Sequence, residues 1–481
     1  MAPTIITKEH RFDTLQLHAG HMEEPYDACS VPLYTSAVCS EQTHWTRTRL
    51  THTITQSFVI PSSDHAVRAL NGGNVNTHAY SRVSNPTVHV FEQRMAALEG
   101  GGVGVAFSSG AAAVLMVMMT LARTGSNIVC SESLHGGTYH QFKTLLPSIG
   151  IEARFIKDGY TTHDIQALID ENTKLVFAET IGNPRFTVVD FETLSTVAHT
   201  NGLPLIVRLM SILQSHYTPT RICIQVDSTF AAGGYFCRPF DHGADIIIHS
   251  TTKWIAGHGT SVGGVVIDNS QIDWLKSSTR YPQFHGGRAG TGDLNLYQTY
   301  GRKAFSVFLK FEVLRDTGAC LGARAAHDML MGLETLSVRC ERQAANTRSV
   351  AEWLRSRLEI KWIQYLGFEE HESHSLARKY LTRGYGTVLT FGLKGGRDAA
   401  LAFVARLRLI KNTANVGDSK TIIIHHWSTT HTQLTDAERH TVGVTADLLR
   451  LSLGIEHVSD IIEDLRQALE GEADIVLENG H

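Results

Sequence analysis

The stretch Ala244-Asp-Ile-Ile-Ile-His-Ser-Thr-Thr-Lys-Trp-Ile-Ala-Gly-His-Gly-Thr260 constrains this chain more than any other. Its apolar run, Ile246 to Ile248, reads as a buried parallel strand that breaks at once into small hydroxylated residues, one lysine and a glycine turn. In an open α/β sheet, ligands bind beyond the carboxyl ends of the strands, so a lysine released there among Ser250, Thr251 and Thr252 faces a site rather than solvent. The hydroxyls suit a phosphate and the amine suits an aldehyde. Together they point to pyridoxal 5'-phosphate, with Lys253 as the Schiff-base lysine and Ser250 and Thr252 as phosphate donors. A lone lysine after a core strand is ordinarily a surface residue; the company of Lys253 decides otherwise.

A second stretch, Gly104-Val-Ala-Phe-Ser-Ser-Gly-Ala-Ala-Ala113, runs from strand through a small-residue turn into an apolar helix, which leaves a helix N-terminus open to an anion. Gly110 and Ala111 offer backbone N–H groups and Ser109 its hydroxyl. The glycines at 100–104 lie before the strand and lack the third glycine of a dinucleotide fingerprint, so a nicotinamide reading fails.

From Asp227-Ser-Thr-Phe-Ala-Ala-Gly-Gly through His249-Ser-Thr-Thr-Lys-Trp-Ile-Ala-Gly-His-Gly, the chain resembles the signature of the pyridoxal-phosphate enzymes of cysteine and methionine metabolism. Within them it is most similar to the O-acetylhomoserine sulfhydrylases. The likeness runs from Phe12-Asp-Thr-Leu-Gln-Leu-His-Ala-Gly20 to Arg450-Leu-Ser-Leu-Gly-Ile-Glu456. It implies an α/β, aminotransferase-like (type I) fold: a mostly parallel sheet domain and a smaller C-terminal α/β domain, in a homotetramer whose dimers share active sites. It also implies γ-replacement on O-acetylhomoserine, with sulfide as acceptor and homocysteine as product.

The resemblance assigns further residues. Tyr80 and Arg82, in Ala79-Tyr-Ser-Arg-Val-Ser-Asn-Pro-Thr87, match a pair that binds the cofactor phosphate of the partner subunit, a task suited to a guanidinium fork. Asn183 matches the residue that hydrogen-bonds the cofactor's ring hydroxyl. Asp227 matches the carboxylate against the pyridine nitrogen, where it keeps the ring an electron sink. Arg450 matches the residue that pairs with the substrate α-carboxylate. At Leu134-His-Gly-Gly-Thr138 the chain departs from the pattern, which has a ring-stacking tyrosine where this sequence has His135. Imidazole can stack and move protons near neutral pH, so His135 is either catalytic with altered chemistry or a tolerated exchange.

Organisation follows from patterning. Residues 1–75 form an arm, 76–305 a cofactor-binding domain and 306–481 a C-terminal domain. Helices are expected over 88–98, 191–201, 321–333 and 337–358, with C-terminal strands over 386–393 and 421–425. The formal charge of -4 gives no electrostatic reason to expect nucleic acid or an anionic membrane as partner. The seven cysteines are scattered without a C-x-x-C pair and read as cytosolic thiols. The first ten residues carry no targeting pattern, and the most apolar run, 111–122, is too short to span a bilayer, so a soluble cytoplasmic protein is expected.

Two rival readings remain. His135 motivates γ-replacement with an amine or carbon nucleophile in natural-product biosynthesis, or γ-elimination. The 26 histidines, with His425, His426 and His431 close together, motivate a metal-binding protein, although no cysteine or carboxylate motif completes a zinc site and no metal is expected.

Two segments fall outside the resemblance. Val38 to Gln56 and Val207 to Gln225 are each 19 residues long, begin with valine and end with glutamine. Valine codons begin GT and one glutamine codon is CAG, so both have the ends of an intron translated in frame. The second also cuts the strand that delivers Asp227. The expectation is that the active protein lacks both.

Overall fold

The computed structural model describes residues 10–20, 30–35, 78, 80–182, 185–201, 224–286, 295–430, 432, 435, 436, 439 and 443–471. The segment 38–56 lies outside the described residues, as does 207–223. The chain divides into two compact units, Met1–Gly182 with Val188–Ser337, and Asn183–Thr187 with Val338–His481.

The first unit is built on seven strands: β1 (Val103–Phe107), β2 (Asn127–Ser131), β3 (Glu152–Ile156), β4 (Thr173–Glu179), β5 (Ile224–Asp227), β6 (Ile246–Ser250) and β7 (Gly264–Asp268). Their order is β1-β7-β6-β5-β4-β2-β3. The run β3-β2-β4-β5-β6 is parallel throughout, and β7 pairs antiparallel with both β6 and β1. Ile246, Ile247 and Ile248 are all fully buried, as a strand covered on both faces requires, although β6 is parallel to β5 only and antiparallel to β7.

Five helices of this unit are α1 (Phe12–His18), α2 (Pro86–Glu99), α3 (Gly110–Leu121), α4 (Phe191–Thr200) and α5 (Ala323–Leu333). The helix read as 88–98 starts two residues earlier because the Asn85 side chain accepts the Thr87 and Val88 N–H groups and Pro86 fits the first turn. It stops at Gly100, left-handed at φ 73°. Phe305, Phe308, Leu309 and Leu314 share one core with Val105, Phe107, Ile246 and Ile248, so this unit continues past residue 305 to Ser337. Among the described residues no helix is long and apolar enough to cross a membrane.

A charged group sits against β1. Glu92, 3% exposed, accepts the Ala106 N–H at Oε1 (3.0 Å) and Lys310 Nζ at Oε2 (2.6 Å). Burial alone would raise its pKa, but Lys310 and His89 outweigh that and hold the carboxyl at about 2. A depressed carboxyl pKa stabilises the fold above the ordinary value near 4.5, and that contribution is lost as pH falls towards 2. Lys310→Met leaves the carboxylate buried without its cation and should cost about 3–5 kcal/mol at neutral pH. The deficit should shrink as pH drops and the carboxyl takes up a proton, which denaturant unfolding at several pH values measures; a deficit independent of pH would contradict this account.

The second unit carries β8 (Ile360–Gln364), β9 (Val388–Leu393), β10 (Lys411–Asn412), β11 (Ile422–His425) and β12 (Leu448–Ser452). The order is β10-β11-β12-β9-β8, antiparallel except between β10 and β11. The helix read over 337–358 is α6 (Leu336–Arg355); α7 (His374–Tyr380), α8 (Gly396–Arg406) and α9 (Val458–Glu470) are not among the helices read from the sequence, and Val350, Leu354, Phe391, Phe403, Leu451 and Leu465 belong to the core. The strands read over 386–393 and 421–425 begin two and one residues later than their patterns.

Candidate active site

Topology gathers the expected residues before any side chain is considered. The parallel strands β2, β4, β5 and β6 end at Ser131, Glu179, Asp227 and Ser250. Because β7 is antiparallel to both neighbours, β1 points the same way and ends at Phe107. The segments carrying Ser109, His135, Asp227 and Lys253 therefore all leave one edge of one sheet, where open α/β sheets place ligands.

At that edge α3 begins. Ser109 caps it, its hydroxyl oxygen accepting the Ala112 N–H at 3.0 Å. Gly110 and Ala111 occupy the first turn, where backbone N–H groups have no intrahelical acceptor and the helix dipole favours an anion. Gly110 is there for space: a Cβ would stand 2.7 Å from the Ser250 Cβ and 3.1 Å from its Oγ. The Ser250 hydroxyl has no hydrogen-bond partner among the described residues. Its own N–H is held by Thr229 Oγ1 at 2.8 Å, a contact between the β5 and β6 ends that no spacing foretells. Thr252 is engaged differently, its hydroxyl donating to the Gly263 carbonyl (3.3 Å) and accepting the Gly263 N–H (3.1 Å). Lys253 is half-buried in the turn that follows, and its neighbour Trp254, 1% exposed, anchors the turn against Phe230 at 5.2 Å between ring centroids.

His135 is exposed at the start of a short helix, Gly136–His140, and its Nδ1 accepts the Gly137 N–H at 3.2 Å. With Nδ1 as acceptor, the neutral ring carries its proton on Nε2. The His135 backbone N–H is held by Glu179 Oε1 at 2.7 Å, and Glu179 is 5% exposed. Sequence reading missed Glu179; the available signal was an acidic residue closing an otherwise apolar strand. Directly behind Ser250, His249 Nε2 lies 2.6 Å from Glu99 Oε1, both fully buried.

Tyr80 and Arg82 occupy the exposed loop before α2, with the guanidinium 5.2 Å from the tyrosine ring centroid and donating to the Arg315 carbonyl. Asn183 lies outside the described residues. Asp227 ends β5, in register with Glu179 and Ile248, and its side chain lies outside the described part. Arg450 belongs to the second unit, on β12 between Ile424 and Thr390, and donates to the Asn415 carbonyl at 3.1 Å. Burial pulls its pKa to about 10, so it remains a cation at neutral pH.

The metal-site candidates are differently employed. His425 meets Ser428 Oγ and the Ala446 carbonyl through its two ring nitrogens, each at 2.8 Å. His431 lies outside the described residues, and among those described no group of three or more His, Cys, Asp or Glu is placed to hold a metal ion. By contrast, the α3 N-terminus, the Ser250 hydroxyl and a lysine at the same strand end form a donor set that fits an aldehyde-bearing phosphate ester.

A family model for Cys/Met metabolism PLP-dependent enzymes matches residues 13–470. The homocysteine synthase of Schizosaccharomyces pombe is 44% identical over 468 residues, covering 97% of this chain and 99% of that protein. O-acetyl-L-homoserine sulfhydrylase 1 of Thermus thermophilus is 40% identical over 463 residues, covering 95% and 100%. Among solved structures, a putative O-acetylhomoserine (thiol)-lyase from Campylobacter jejuni, which carries a pyridoxyl-lysine phosphate, matches with a TM-score of 0.84 and 32% identity over 96% of this chain and 100% of that one.

Proposed function

The chain belongs to the pyridoxal-phosphate-dependent enzymes of Cys/Met metabolism, and we propose that it catalyses γ-replacement on O-acetylhomoserine with sulfide as acceptor, yielding homocysteine. The observation that carries this reading is a lysine three residues beyond Ser250, at the strand end facing the α3 N-terminus, in a chain 44% identical to a homocysteine synthase. Pyridoxal phosphate supplies an aldehyde that takes up amines and a protonated ring that draws electrons from the bound amino acid. The Gly110 and Ala111 N–H groups and the Ser109 and Ser250 hydroxyls hold the phosphate, with Thr252 able to join them by giving up its bond to Gly263. Asn183 orients the ring hydroxyl and Asp227 keeps the ring nitrogen protonated. Lys253 Nζ holds the aldehyde and then moves protons at the substrate Cα and Cβ, so that the γ-acetate can leave. Arg450 grips the substrate carboxylate as a permanent cation.

Tyr80 and Arg82 are exposed in the single chain, which supports their reaching the phosphate of a neighbouring subunit in a homotetramer of site-sharing dimers. The cytoplasm is the compartment this chemistry and the scattered thiols favour. The direct test supplies O-acetylhomoserine and sulfide to the purified holoenzyme and identifies the product by mass spectrometry. Absence of homocysteine would sink the reading.

His135 favours a second reading, in which the same electrophile meets an amine or carbon nucleophile. Its Nε2 proton points to a role beside the ring that a phenol would perform with different geometry. His135→Tyr should raise the sulfide-dependent rate about tenfold and move its pH profile. An unchanged rate, profile and nucleophile preference would make His135 a tolerated exchange.

A further inference from the structure

We propose that the second unit holds a separate binding site for a small zwitterion of the α-amino acid type, in the pocket between α6, α7 and the turn after β8. The cavity is about 390 Å³, the size of a small-molecule site, and Tyr365, Gly367, Glu369, Arg348, Arg378 and Tyr385 are among its lining residues.

Tyr365 follows β8 directly and is 3% exposed, yet its hydroxyl has no hydrogen-bond partner among the described residues. The residue lines the cavity, which leaves its hydroxyl available to a ligand. Burial pushes the phenol up to about 12, against the opposing pull of Arg348, so it keeps its proton and stands as a donor. Its ring is fixed edge-on to Phe368 at 5.4 Å. Gly367 keeps the hydroxyl accessible. No left-handed backbone demands a glycine there, but a Cβ would stand 2.4 Å from the Tyr365 Cε1 and 3.0 Å from its Oη.

The charges around the cavity select the ligand. Arg348 and Glu352, four residues apart on α6, pair with each other at 3.1 Å. Arg378 on α7 and Glu369 in the preceding turn each have no hydrogen-bond or ion-pair partner among the described residues. Two guanidiniums and two carboxylates thus border one pocket, with one of each uncommitted. An anion would meet the carboxylates and a cation the guanidiniums, whereas a zwitterion satisfies both: carboxylate to Arg378 and the phenol, ammonium to Glu369. His374 adds polarity, its Nδ1 donating to the Leu366 carbonyl at 2.8 Å and its ring lying 5.3 Å from that of Tyr385.

N,N-dimethylglycine is the probe, because a tertiary amine cannot form an imine with the cofactor's aldehyde; substitutions at Tyr365 and Arg378 separate its binding here from carboxylate binding at Arg450. Calorimetric titration of the holoenzyme should show saturable binding of one molecule per chain in the millimolar range, with acetate and dimethylamine each at least about tenfold weaker. Tyr365→Phe and Arg378→Gln should each weaken binding by about tenfold or more while leaving the cofactor absorbance and basal turnover unchanged. No saturable heat, or binding that survives both substitutions, would overturn the site; acetate binding as tightly as the probe would overturn the assignment of a zwitterion.

Discussion

Lys253→Ala should abolish turnover, with a loss of at least about 10⁴-fold, because no other described side chain at this strand end supplies both an amine for the aldehyde and a base for the substrate's protons. The variant should fold. The turn that carries Lys253 is held by backbone bonds, Gly257 N–H to the Lys253 carbonyl (2.7 Å) and Ala256 N–H to the Thr251 carbonyl (2.9 Å), and by the buried Trp254, none of which uses the lysine side chain. Thermal unfolding should therefore match the parent. Treatment with borohydride should attach cofactor covalently to the parent and leave the variant unlabelled. Turnover within tenfold of the parent, or covalent label elsewhere in the chain, would move the lysine's role to another residue.

The second large effect is expected from removing 38–56 and 207–225 together. β5 is the central strand of the seven-stranded sheet, and Gln225 sits there in register with Phe177 and Ile246, both fully buried. A strand in that position normally reads as a continuous apolar run. Joining Ile206 to Val226 places Leu205 and Ile206 where Ile224 and Gln225 now stand, keeps Val226 and Asp227 in their register, and restores the apolar run. Misplacing a reacting group by about 1 Å can cost about 10²-fold, and Asp227 is the residue this strand delivers. The shortened protein should therefore bind cofactor at full occupancy and turn over at least about tenfold faster than the 481-residue form. Equal occupancy and turnover of the two forms, or peptides from either segment in protein from the native source, would refute the retained-intron reading.

What the sequence disclosed was local. The β-branched run 246–248, the lysine after it, the small-residue turn into α3 and the Asn85-Pro86 start of α2 are each written within a few residues, where periodicity and capping rules act. The carboxylate contacts were hidden for the opposite reason. Glu92 meets Lys310 across 218 positions, Glu99 meets His249 across 150, and Glu179 meets the His135 backbone across 44. Each carboxylate lies on a helix or strand whose local pattern is satisfied without it, so only the tertiary structure identifies its partner. The Tyr365 pocket was equally silent, since its glycine carries no left-handed signature and its charges come from separate elements.

The charge lodged against β1 has a consequence for how this protein meets copies of itself. β1 is the outermost strand of its sheet, with backbone groups that another chain's strand would ordinarily seek. Here the Ala106 N–H is spent on the Glu92 carboxylate, the Ser108 N–H on the Ala319 carbonyl, and Phe107 bridges to Cys320. A foreign strand could pair at Ala106 only by displacing the Glu92 carboxylate oxygen from its N–H, which leaves that buried oxygen short of a donor. Growth of the sheet by addition of another chain's strand is thereby opposed along this side.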